Sequence, residues 1–330
     1  MTSEMRSRII GTGKYQAQRI LSNADLEKLV DTSDEWIRER TGIRERRLAT
    51  EDVASSDMAA HALQEALQMA GKQPNDLDMI ICGTVTPDRM LPATAAYVQK
   101  KIGASNHCAS FDLSAACAGF IYGLSAADAY IKSGKAKTVA VIGTELLSRF
   151  MDWGDRNTCI LFGDGAGAVV LTADTADRGI LSTHQYTNAE LTELLKIPAG
   201  GSLQPASPET VAANQHCIQM EGREVFRYAV RYLSSAAMTA VETNGKTPDD
   251  VNLVVAHQAN LRILEGVSQR VKIPMERFVL NLEYYGNTSS ASIPIALDEA
   301  NRAGRIREDD ILLMLALGGG ISWGSALIKW

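Results

Sequence analysis

The sequence has few aromatic residues, no long apolar run and no excess of positive charge. Aromatic side chains make up 6% of the 330 residues, and the net charge is −6. A chain this acidic is not expected to be a general nucleic-acid binder. The longest uninterrupted apolar run, residues 311–317, is far shorter than the roughly 20 residues of a membrane-spanning helix. The first ten residues also lack the apolar core of a secretory signal. We therefore expect no membrane span and no nucleic-acid partner.

Cysteine is sparse, and its spacing excludes the usual structural uses. The chain has 5 cysteines, an odd number, and no two of them have CxxC spacing. None lies near a histidine pair with zinc-ligand spacing. We predict free thiols in a reducing cytoplasm and no metal site. A cysteine that does chemistry here would act as a thiolate nucleophile.

Internal repetition organises the chain. Residues 72–81 (KQPNDLDMII) resemble residues 246–255 (KTPDDVNLVV). Two weaker echoes have nearly the same offset: residues 8–15 with 179–186, and the predicted helices that end near Gly134 and Gly304. These echoes predict an ancient duplication, with one α/β half at residues 1–175 and the other at 176–330. Continuous apolar stretches such as 138–142 and 253–256 predict strands that are covered on both faces of their sheets.

Two segments depart from this alternation of helices and strands. Residues 184–220 are polar, contain three prolines and show little periodicity, which predicts a surface excursion near the site entrance. Residues 163–168 (GDGAGA) resemble a glycine-rich nucleotide loop. An apolar strand rather than a helix follows them, so we interpret them as close-packed structure and do not favour a dinucleotide site.

Cys117 is the strongest candidate nucleophile. It lies between a predicted strand end at residues 111–113 and a helix from Ala118 onward, with alanine and glycine around it. The N-terminus of a helix stabilises a thiolate, so we expect a lowered thiol pKa, and the small neighbours admit a substrate. A buried, inert cysteine is the alternative for any single position. We assign that role to the other four: Cys82, Cys108, Cys159 and Cys217.

Two polar residues of the second half lie in comparable places. His257 ends the predicted strand 253–256, where open α/β sheets bind their ligands, although a hydrogen-bonded core histidine remains an equal alternative. Asn287 lies in a glycine-containing turn before a helix, where a capping role is the alternative. Aligning Gly134 with Gly304 makes Asn287 equivalent to Cys117, so a pseudo-twofold axis would bring both to one site.

Three consecutive glycines, residues 318–320, follow the last long apolar strand. Glycine lets the backbone pass close to a reacting centre and direct its N–H groups at an oxyanion, although a tight turn is the simpler explanation.

Six motifs, in this order and across essentially the whole chain, resemble the β-ketoacyl-[acyl-carrier-protein] synthase III family of the thiolase superfamily. They are DTSDEWIRERTGIRER (31–46), DLSAACAGF (112–120), FGDGAGA (162–168), HQANLR (257–262), YGNTSSAS (285–292) and GGGISWGSAL (318–327). The resemblance implies a five-layered αβαβα thiolase-like fold of two duplicated halves, as a homodimer. It also implies the initiating condensation of fatty-acid synthesis, with acyl-CoA and malonyl-acyl-carrier protein as partners and no metal or redox cofactor.

The resemblance also implies roles for individual residues. Cys117, His257 and Asn287 match the catalytic set, with the amides of Cys117 and Gly319 as the oxyanion hole. The residues that match the family's CoA contacts are Trp36, Arg40, Arg156 and Asn260. Leu91 stands where many members have a phenylalanine that reaches the acyl pocket from the dimer partner.

The family's second substrate is carried by an acidic protein, and a basic stripe offers a docking site for it. Arg223, Arg227 and Arg231 recur every four residues on a predicted helix that begins at Glu221, and Arg262 and Arg270 add further charge. A solvated helix face is the alternative explanation, but the overall negative charge favours a docking patch.

The function that follows from the sequence is therefore acylation of Cys117 by acetyl-CoA or a somewhat longer primer, then decarboxylative condensation with malonyl-acyl-carrier protein. The glycine motif contains no second cysteine, which argues against a degradative thiolase. The alternative that stays open is a related enzyme of specialised metabolism that condenses or transfers another acyl group.

Overall fold

The computed structural model describes residues 5–330. Over this range the chain forms thirteen β-strands and eleven α-helices, with short 3-10 turns between them. The strands are β1 (Arg6–Gln16), β2 (Arg19–Ser22), β3 (Glu45–Leu48), β4 (Met79–Gly83), β5 (Ala109–Leu113), β6 (Thr138–Leu146), β7 (Asp164–Asp174), β8 (Gly179–Thr187), β9 (Leu195–Lys196), β10 (Gln219–Met220), β11 (Leu253–Ala256), β12 (Ile311–Gly318) and β13 (Ser322–Lys329). The helices are α1 (Asn23–Leu26), α2 (Asp34–Thr41), α3 (Ser55–Ala70), α4 (Thr94–Ile102), α5 (Gly119–Lys132), α6 (Arg156–Cys159), α7 (Pro208–Ala212), α8 (Gly222–Thr243), α9 (Leu261–Val271), α10 (Leu282–Tyr285) and α11 (Ser292–Arg302).

Two mixed sheets share one strand order. The first sheet runs β1-β7-β6-β4-β5, and the second runs β8-β13-β12-β11, so the second repeats the first without a partner for β5. In both sheets the first two strands of this order pair antiparallel, and the pairs β6–β4 and β12–β11 are parallel. The chain passes from the first sheet to the second between Asp174 and Gly179. This common topology is what a duplicated α/β unit would produce.

Five layers follow from the way the helices cover these sheets. Helix α3 covers the outer face of the first sheet, α8 and α9 cover the outer face of the second, and α5 and α11 lie between the sheets. Strands β6 and β12 are buried along their entire length because helices cover both of their faces. The predicted αβαβα thiolase-like fold is confirmed.

The turns that precede the two central helices pack so closely against β6 and β12 that these strands need glycine at the contact points. A side chain on Gly143 would place its Cβ 2.1 Å from the Ser290 carbonyl oxygen, and one on Gly318 would lie 2.4 Å from the Cys117 amide nitrogen. The glycine-rich segment 163–168 serves the same purpose at the start of β7, where a Cβ on Gly167 would lie 2.7 Å from the backbone nitrogen of Ile295. It leads into a strand and packs against α11, in agreement with its interpretation as close-packed structure.

The register between the halves differs from the sequence-based alignment. Each central helix follows a 3-10 turn whose first residue has positive φ: Ala116 (46°) before α5 and Ser289 (50°) before α11. Since Ala116 corresponds to Ser289, the structural counterpart of Cys117 is Ser290, and the predicted equivalence with Asn287 is wrong. The sequence-based alignment matched the ends of the two helices, and α11 has 11 residues where α5 has 14.

Candidate active site

Cys117 lies in a strained turn at the junction of the two halves. It is buried in the 3-10 turn Ala116–Ala118, directly before α5, as the sequence predicts to within one residue. Ala116 has φ 46°, a left-handed conformation that an alanine adopts only when its surroundings hold it there. Gly318 supports the turn from the second half, since its Cα packs directly against the Cys117 backbone.

The thiol of Cys117 is not the pre-formed thiolate that the helix N-terminus suggested. Burial raises the pKa of Cys117 to about 12, a hydrogen bond with Ser289 opposes this rise, and the negative charge of Glu145 adds to it. The expected lowering of the Cys117 pKa is therefore wrong. The free-energy cost of removing water from a buried thiolate is larger than the stabilisation that a helix N-terminus gives it. Ionisation of this thiol needs a proton acceptor at the site.

His257 is positioned to supply an acceptor. It follows β11, is buried, and its Nδ1 lies 2.7 Å from Ser292 Oγ. The Ser292 hydroxyl donates its one hydrogen to the Ser289 carbonyl at 2.8 Å, so it accepts from Nδ1–H. Burial lowers the pKa of His257 to about 4, which keeps the imidazole neutral. Its Nε2 therefore carries a lone pair until the ring gains a proton.

Asn287 is held by its backbone and by its own side-chain oxygen. Its N–H donates to the Leu161 carbonyl at 2.8 Å, and its carbonyl accepts from Gly163 N–H at 2.9 Å. The Ser289 N–H donates to Asn287 Oδ1 at 2.8 Å. Among the described residues no acceptor is bonded to the Asn287 side-chain NH2, and that side chain lines the same cleft as Cys117 and His257. The amide thus offers two N–H donors to a substrate oxygen.

Two spaces meet at Cys117. A narrow cleft of about 100 Å³ contains Cys117, His257 and Asn287 and continues outward past Asn260 and Phe226. On the other side of the sulfur lies an apolar cavity of about 230 Å³. Its apolar lining residues are Val85, Leu147, Phe162, Leu195, Ile197 and Ile218. Cys117 therefore lies between an apolar cavity and a mainly apolar cleft whose polar side chains are those of His257, Asn260 and Asn287.

The predicted surface excursion forms part of the apolar cavity. Strand β8 extends to Thr187, so the irregular segment begins later than predicted, and it contributes Leu195, Ile197 and Ile218 to the cavity. Sequence reasoning placed the segment near the entrance but did not identify these residues. Their only signal was isolated apolar side chains in a polar stretch, which a solvent-exposed loop also contains.

The glycine motif lies beside the nucleophile, as predicted. Gly318 ends β12, Gly319 lines the apolar cavity together with Cys117, and Gly320 has φ 123°, a conformation that favours glycine. The Cys117 and Gly319 amides are thus close enough to serve one oxyanion site, which stays a prediction.

The residues predicted to contact CoA cluster around Trp36. The guanidinium of Arg40 lies 5.4 Å from the centre of the Trp36 ring, and that of Arg156 lies 5.0 Å from it. The side-chain oxygen of Asn260 caps α9, and its NH2 group donates to the Arg40 carbonyl at 3.0 Å. Both ends of the side-chain amide are therefore hydrogen-bonded within the protein. Asn260 also lines the cleft to Cys117, which keeps it within reach of a bound thioester arm.

The five arginines of the predicted docking patch are exposed, on α8 and α9, which pack against each other. They are Arg223, Arg227, Arg231, Arg262 and Arg270. Arg227 also pairs with Glu224 on its own helix, which reduces the net positive charge of the stripe. Glu221 is the N-cap of α8, one residue before the helix itself begins.

Leu91 is 84% exposed and does not line either space at Cys117 within this chain. Met90 beside it is 86% exposed. Two adjacent apolar side chains in water are typical of a surface that another molecule covers.

Sequence reasoning missed Glu145, the single charged residue of β6. Its side chain is fully buried, and hydroxyl groups from both halves surround its carboxylate. The only sequence signal was one acidic residue in an otherwise apolar and small stretch, which by itself predicts nothing.

Three further observations on residues 5–330 concern the cysteines, membrane-spanning helices and clusters of metal-ligating side chains. The five cysteines are free thiols. No helix in this range has the length and apolarity to cross a bilayer. The same residues contain no group of three or more His, Cys, Asp or Glu side chains arranged to hold a metal ion.

Comparison with known proteins agrees with this geometry. Sequence models described as 3-oxoacyl-[acyl-carrier-protein] synthase III and its C-terminal part match residues 111–189 and 241–330. A curated relative from Caldanaerobacter subterraneus subsp. tengcongensis, named β-ketoacyl-[acyl-carrier-protein] synthase III, is 49% identical over 100% of this chain and 99% of its own.

Solved structures extend the similarity to the fold. The crystal structure of 3-oxoacyl-[acyl-carrier-protein] synthase III from Aquifex aeolicus VF5 has a TM-score of 0.91 and 47% identity, covering 98% of this chain and 100% of that one. The priming β-ketosynthase of the R1128 polyketide pathway has the same TM-score at 34% identity, covering 100% and 98%. The chain therefore belongs to the β-ketoacyl-[acyl-carrier-protein] synthase III family.

Proposed function

We propose that the protein joins an acyl group from acyl-CoA to malonyl-acyl-carrier protein, giving 3-ketoacyl-acyl-carrier protein, CoA and CO₂. The observation that carries this proposal is the position of Cys117 between an apolar cavity and a largely apolar cleft into which His257, Asn260 and Asn287 bring the polar side chains. A thioester can enter along the cleft and place its acyl chain in the cavity. The cleft residues then face the second substrate.

The first step transfers the acyl group to sulfur. Cys117 gives its proton to the Nε2 lone pair of His257 as the sulfur attacks the thioester carbonyl. The amides of Cys117 and Gly319 hold the oxyanion, and the C–S bond to CoA breaks. The leaving CoA sulfur takes the proton from His257, so CoA departs as its thiol and the imidazole is neutral again.

The second step makes the carbon–carbon bond. Malonyl-acyl-carrier protein loses CO₂, and the His257 ring takes one proton from solvent as negative charge develops on the enolate. The enolate oxygen accepts hydrogen bonds from His257 Nε2–H and the Asn287 amide. The enolate carbon attacks the acyl-Cys117 carbonyl and expels the Cys117 thiolate, which takes the proton from His257. Cys117 and His257 thus end in their starting protonation states, and the chemistry needs no metal or redox cofactor.

The setting of this reaction follows from the same residues. The substrates are a CoA thioester and an acidic carrier protein, which we place in the reducing cytoplasm where Cys117 stays a free thiol. The exposed Met90–Leu91 pair supports a homodimer in which Leu91 of one chain reaches the acyl cavity of the other.

A single-turnover experiment tests the proposed function. Wild-type protein mixed with radiolabelled acetyl-CoA is expected to retain the label on Cys117, and addition of malonyl-acyl-carrier protein should release it as the 3-ketoacyl product. Label that stays on the protein in the presence of malonyl-acyl-carrier protein would contradict the condensation step.

The alternative function is that of a condensing enzyme of specialised metabolism. The similarity to a priming ketosynthase of polyketide synthesis supports this alternative. Steady-state rates with acetyl-, butyryl-, hexanoyl- and octanoyl-CoA distinguish the two. A preference for acetyl-CoA or a slightly longer straight primer supports fatty-acid initiation. Failure to use any of these primers supports the alternative.

Arg227→Glu is expected to raise the apparent KM for malonyl-acyl-carrier protein by about three- to tenfold at low salt, because reversing a charge at a docking rim slows encounter. Acylation by acyl-CoA should not change. The measurement is initial rate against carrier-protein concentration at two salt concentrations, and the effect should shrink at high salt.

Arg307→Glu is a matched control for Arg227→Glu. Arg307 is an exposed arginine just before β12, at the end of that strand opposite Gly318. If both variants behave alike, the α8 stripe is only a solvated helix face.

Leu91→Phe is expected to lower the ratio of octanoyl-CoA to acetyl-CoA rates by a few-fold per carbon excluded, since each methylene that fits adds about 0.8 kcal/mol of burial. Wild-type protein should use primers of about four to eight carbons at least as well as acetyl-CoA, because leucine leaves a deeper cavity than phenylalanine. Decarboxylation should not change.

Ile20→Phe, at another exposed apolar residue on β2, provides the control for Leu91→Phe. An unchanged chain-length ratio in Leu91→Phe would mean that Leu91 does not reach the cavity. Ile197 and Ile218 would then be the residues to test for chain-length control.

A further inference from the structure

Glu145 is a fully buried acid that the mechanism above does not use. Its carboxylate has no lysine or arginine partner among the described residues. Burying a carboxylate without a cation is costly unless many hydrogen bonds replace its water. The structure supplies those bonds entirely from neutral donors around the active site.

The donors come from two segments. On one side, Thr86 Oγ1 donates to Oε2 at 2.7 Å, and the Val85 N–H lies 3.2 Å from the same oxygen. On the other side, Ser289 Oγ lies 3.2 Å and Ser290 Oγ 3.0 Å from Oε1, and the single hydroxyl hydrogen of Ser290 is shared with the Gly83 carbonyl at 2.8 Å. The first segment follows β4 in the first half, and the second precedes α11 in the second half. The Glu145 carboxylate is therefore hydrogen-bonded to both halves of the chain close to Cys117.

Ser289 is the residue through which Glu145 reaches the active site. Its φ of 50° is unfavourable for a serine and persists only where neighbouring contacts enforce it. In this conformation the Ser289 N–H donates to Asn287 Oδ1, which turns the Asn287 NH2 group toward the cleft. The Ser289 carbonyl also accepts from Ser292, the hydroxyl that orients His257.

We propose that Glu145 is a positioning residue for decarboxylation: its carboxylate holds the Ser289–Ser290 turn and thereby fixes the side-chain amide of Asn287 toward the enolate oxygen. This inference rests on the proposed function. Glu145 does not touch substrate. Its effect is to keep a strained turn in the conformation in which Asn287 is a donor.

The state of Glu145 supports this role. Burial raises the pKa of Glu145 to about 7, and the bonds from Thr86, Val85, Ser290 and Ser289 oppose the rise. With a pKa of about 7, both the carboxylate and the acid are populated near neutral pH; the carboxylate accepts from these donors with both oxygens, and the acid keeps one fully accepting oxygen. A glutamine of the same size would keep one accepting oxygen and place an NH2 group against the other donors, while leucine would accept nothing.

The test is a double-mutant cycle on malonyl-acyl-carrier protein decarboxylation. We expect Glu145→Leu to lower kcat by about tenfold or more, and Glu145→Gln by a smaller factor, with KM within about twofold of wild type. In an Asn287→Ala background, each Glu145 substitution should lower kcat by a clearly smaller factor than in wild type, because the amide it positions is gone and only the link from Ser289 through Ser292 to His257 remains.

A control separates positioning from general loss of stability. Asp298→Asn removes another fully buried carboxylate, on α11, that contacts Thr12 and Arg302 rather than Ser289. It should lower Tm without a specific loss of kcat. If Glu145→Leu does not fold, the double-mutant cycle is measured with Glu145→Gln, because glutamine keeps the size of the side chain.

The outcomes are distinguishable. Wild-type kcat in both Glu145 variants, or an equal loss in the presence and absence of Asn287, would overturn the positioning role. Wild-type protein that does not decarboxylate malonyl-acyl-carrier protein would instead overturn the proposed function on which the role rests.

Discussion

Replacing Cys117 with alanine is expected to abolish acyl transfer from acyl-CoA while leaving measurable decarboxylation of malonyl-acyl-carrier protein. The sulfur is needed to carry the acyl group, whereas the His257 and Asn287 donors to the enolate remain. The measurement is retention of labelled acyl group on the protein, with CO₂ release followed in parallel.

Cys159→Ala is the matched control for Cys117→Ala. Cys159 is also a buried free thiol, but it packs in the separate cluster around Ile37 and Leu282. It should keep full acylation. Labelled acyl group on the Cys117→Ala protein would show that another residue is the nucleophile.

Removing either enolate donor should give the second large effect. His257→Ala and Asn287→Ala are each expected to slow decarboxylation by about 10²–10³-fold, the usual loss for one donor to a developing oxyanion. Acylation should survive better in both variants. Asn287→Ala should acylate almost normally, and His257→Ala should acylate more slowly because the thiol loses its proton acceptor.

Comparing the two half-reactions in each variant makes the assignment testable. Rapid-quench acylation with labelled acetyl-CoA gives the first rate, and CO₂ release from malonyl-acyl-carrier protein gives the second. Normal decarboxylation in both variants would refute the donor roles. Equal losses in both half-reactions would indicate a general collapse of the site rather than a missing donor.

The strands, the central helices and the positions of Cys117 and His257 at strand ends were predictable because their signals are local. Residues 311–317 form an unbroken apolar run that only a doubly covered strand accommodates. Cys117 and His257 each follow a recognisable strand, so the sequence alone indicated that both lie near the carboxyl ends of strands. Motif order then identified the family without any knowledge of distances.

Two predictions failed because they depend on three-dimensional context. The internal alignment placed Asn287 opposite Cys117, whereas the turns show that Ser290 is its counterpart, since a helix can shorten at its end without moving its start. The lowered pKa of Cys117 failed because a helix N-terminus is visible in sequence, but complete burial and the nearby Glu145 charge are not.

The sequence by itself determined the strand and helix order, the duplication and the candidate nucleophile, because each is encoded in residue types along one stretch of chain. Only the tertiary structure decided the hydrogen-bond partner of His257, the apolar cavity to which residues 195–218 contribute, and the burial and hydrogen bonds of Glu145. Each of these depends on hydrogen bonds or contacts between residues far apart in the chain. Glu145 lies in the first half and Ser290 in the second, and their hydrogen bond exists only after both halves have folded around Cys117.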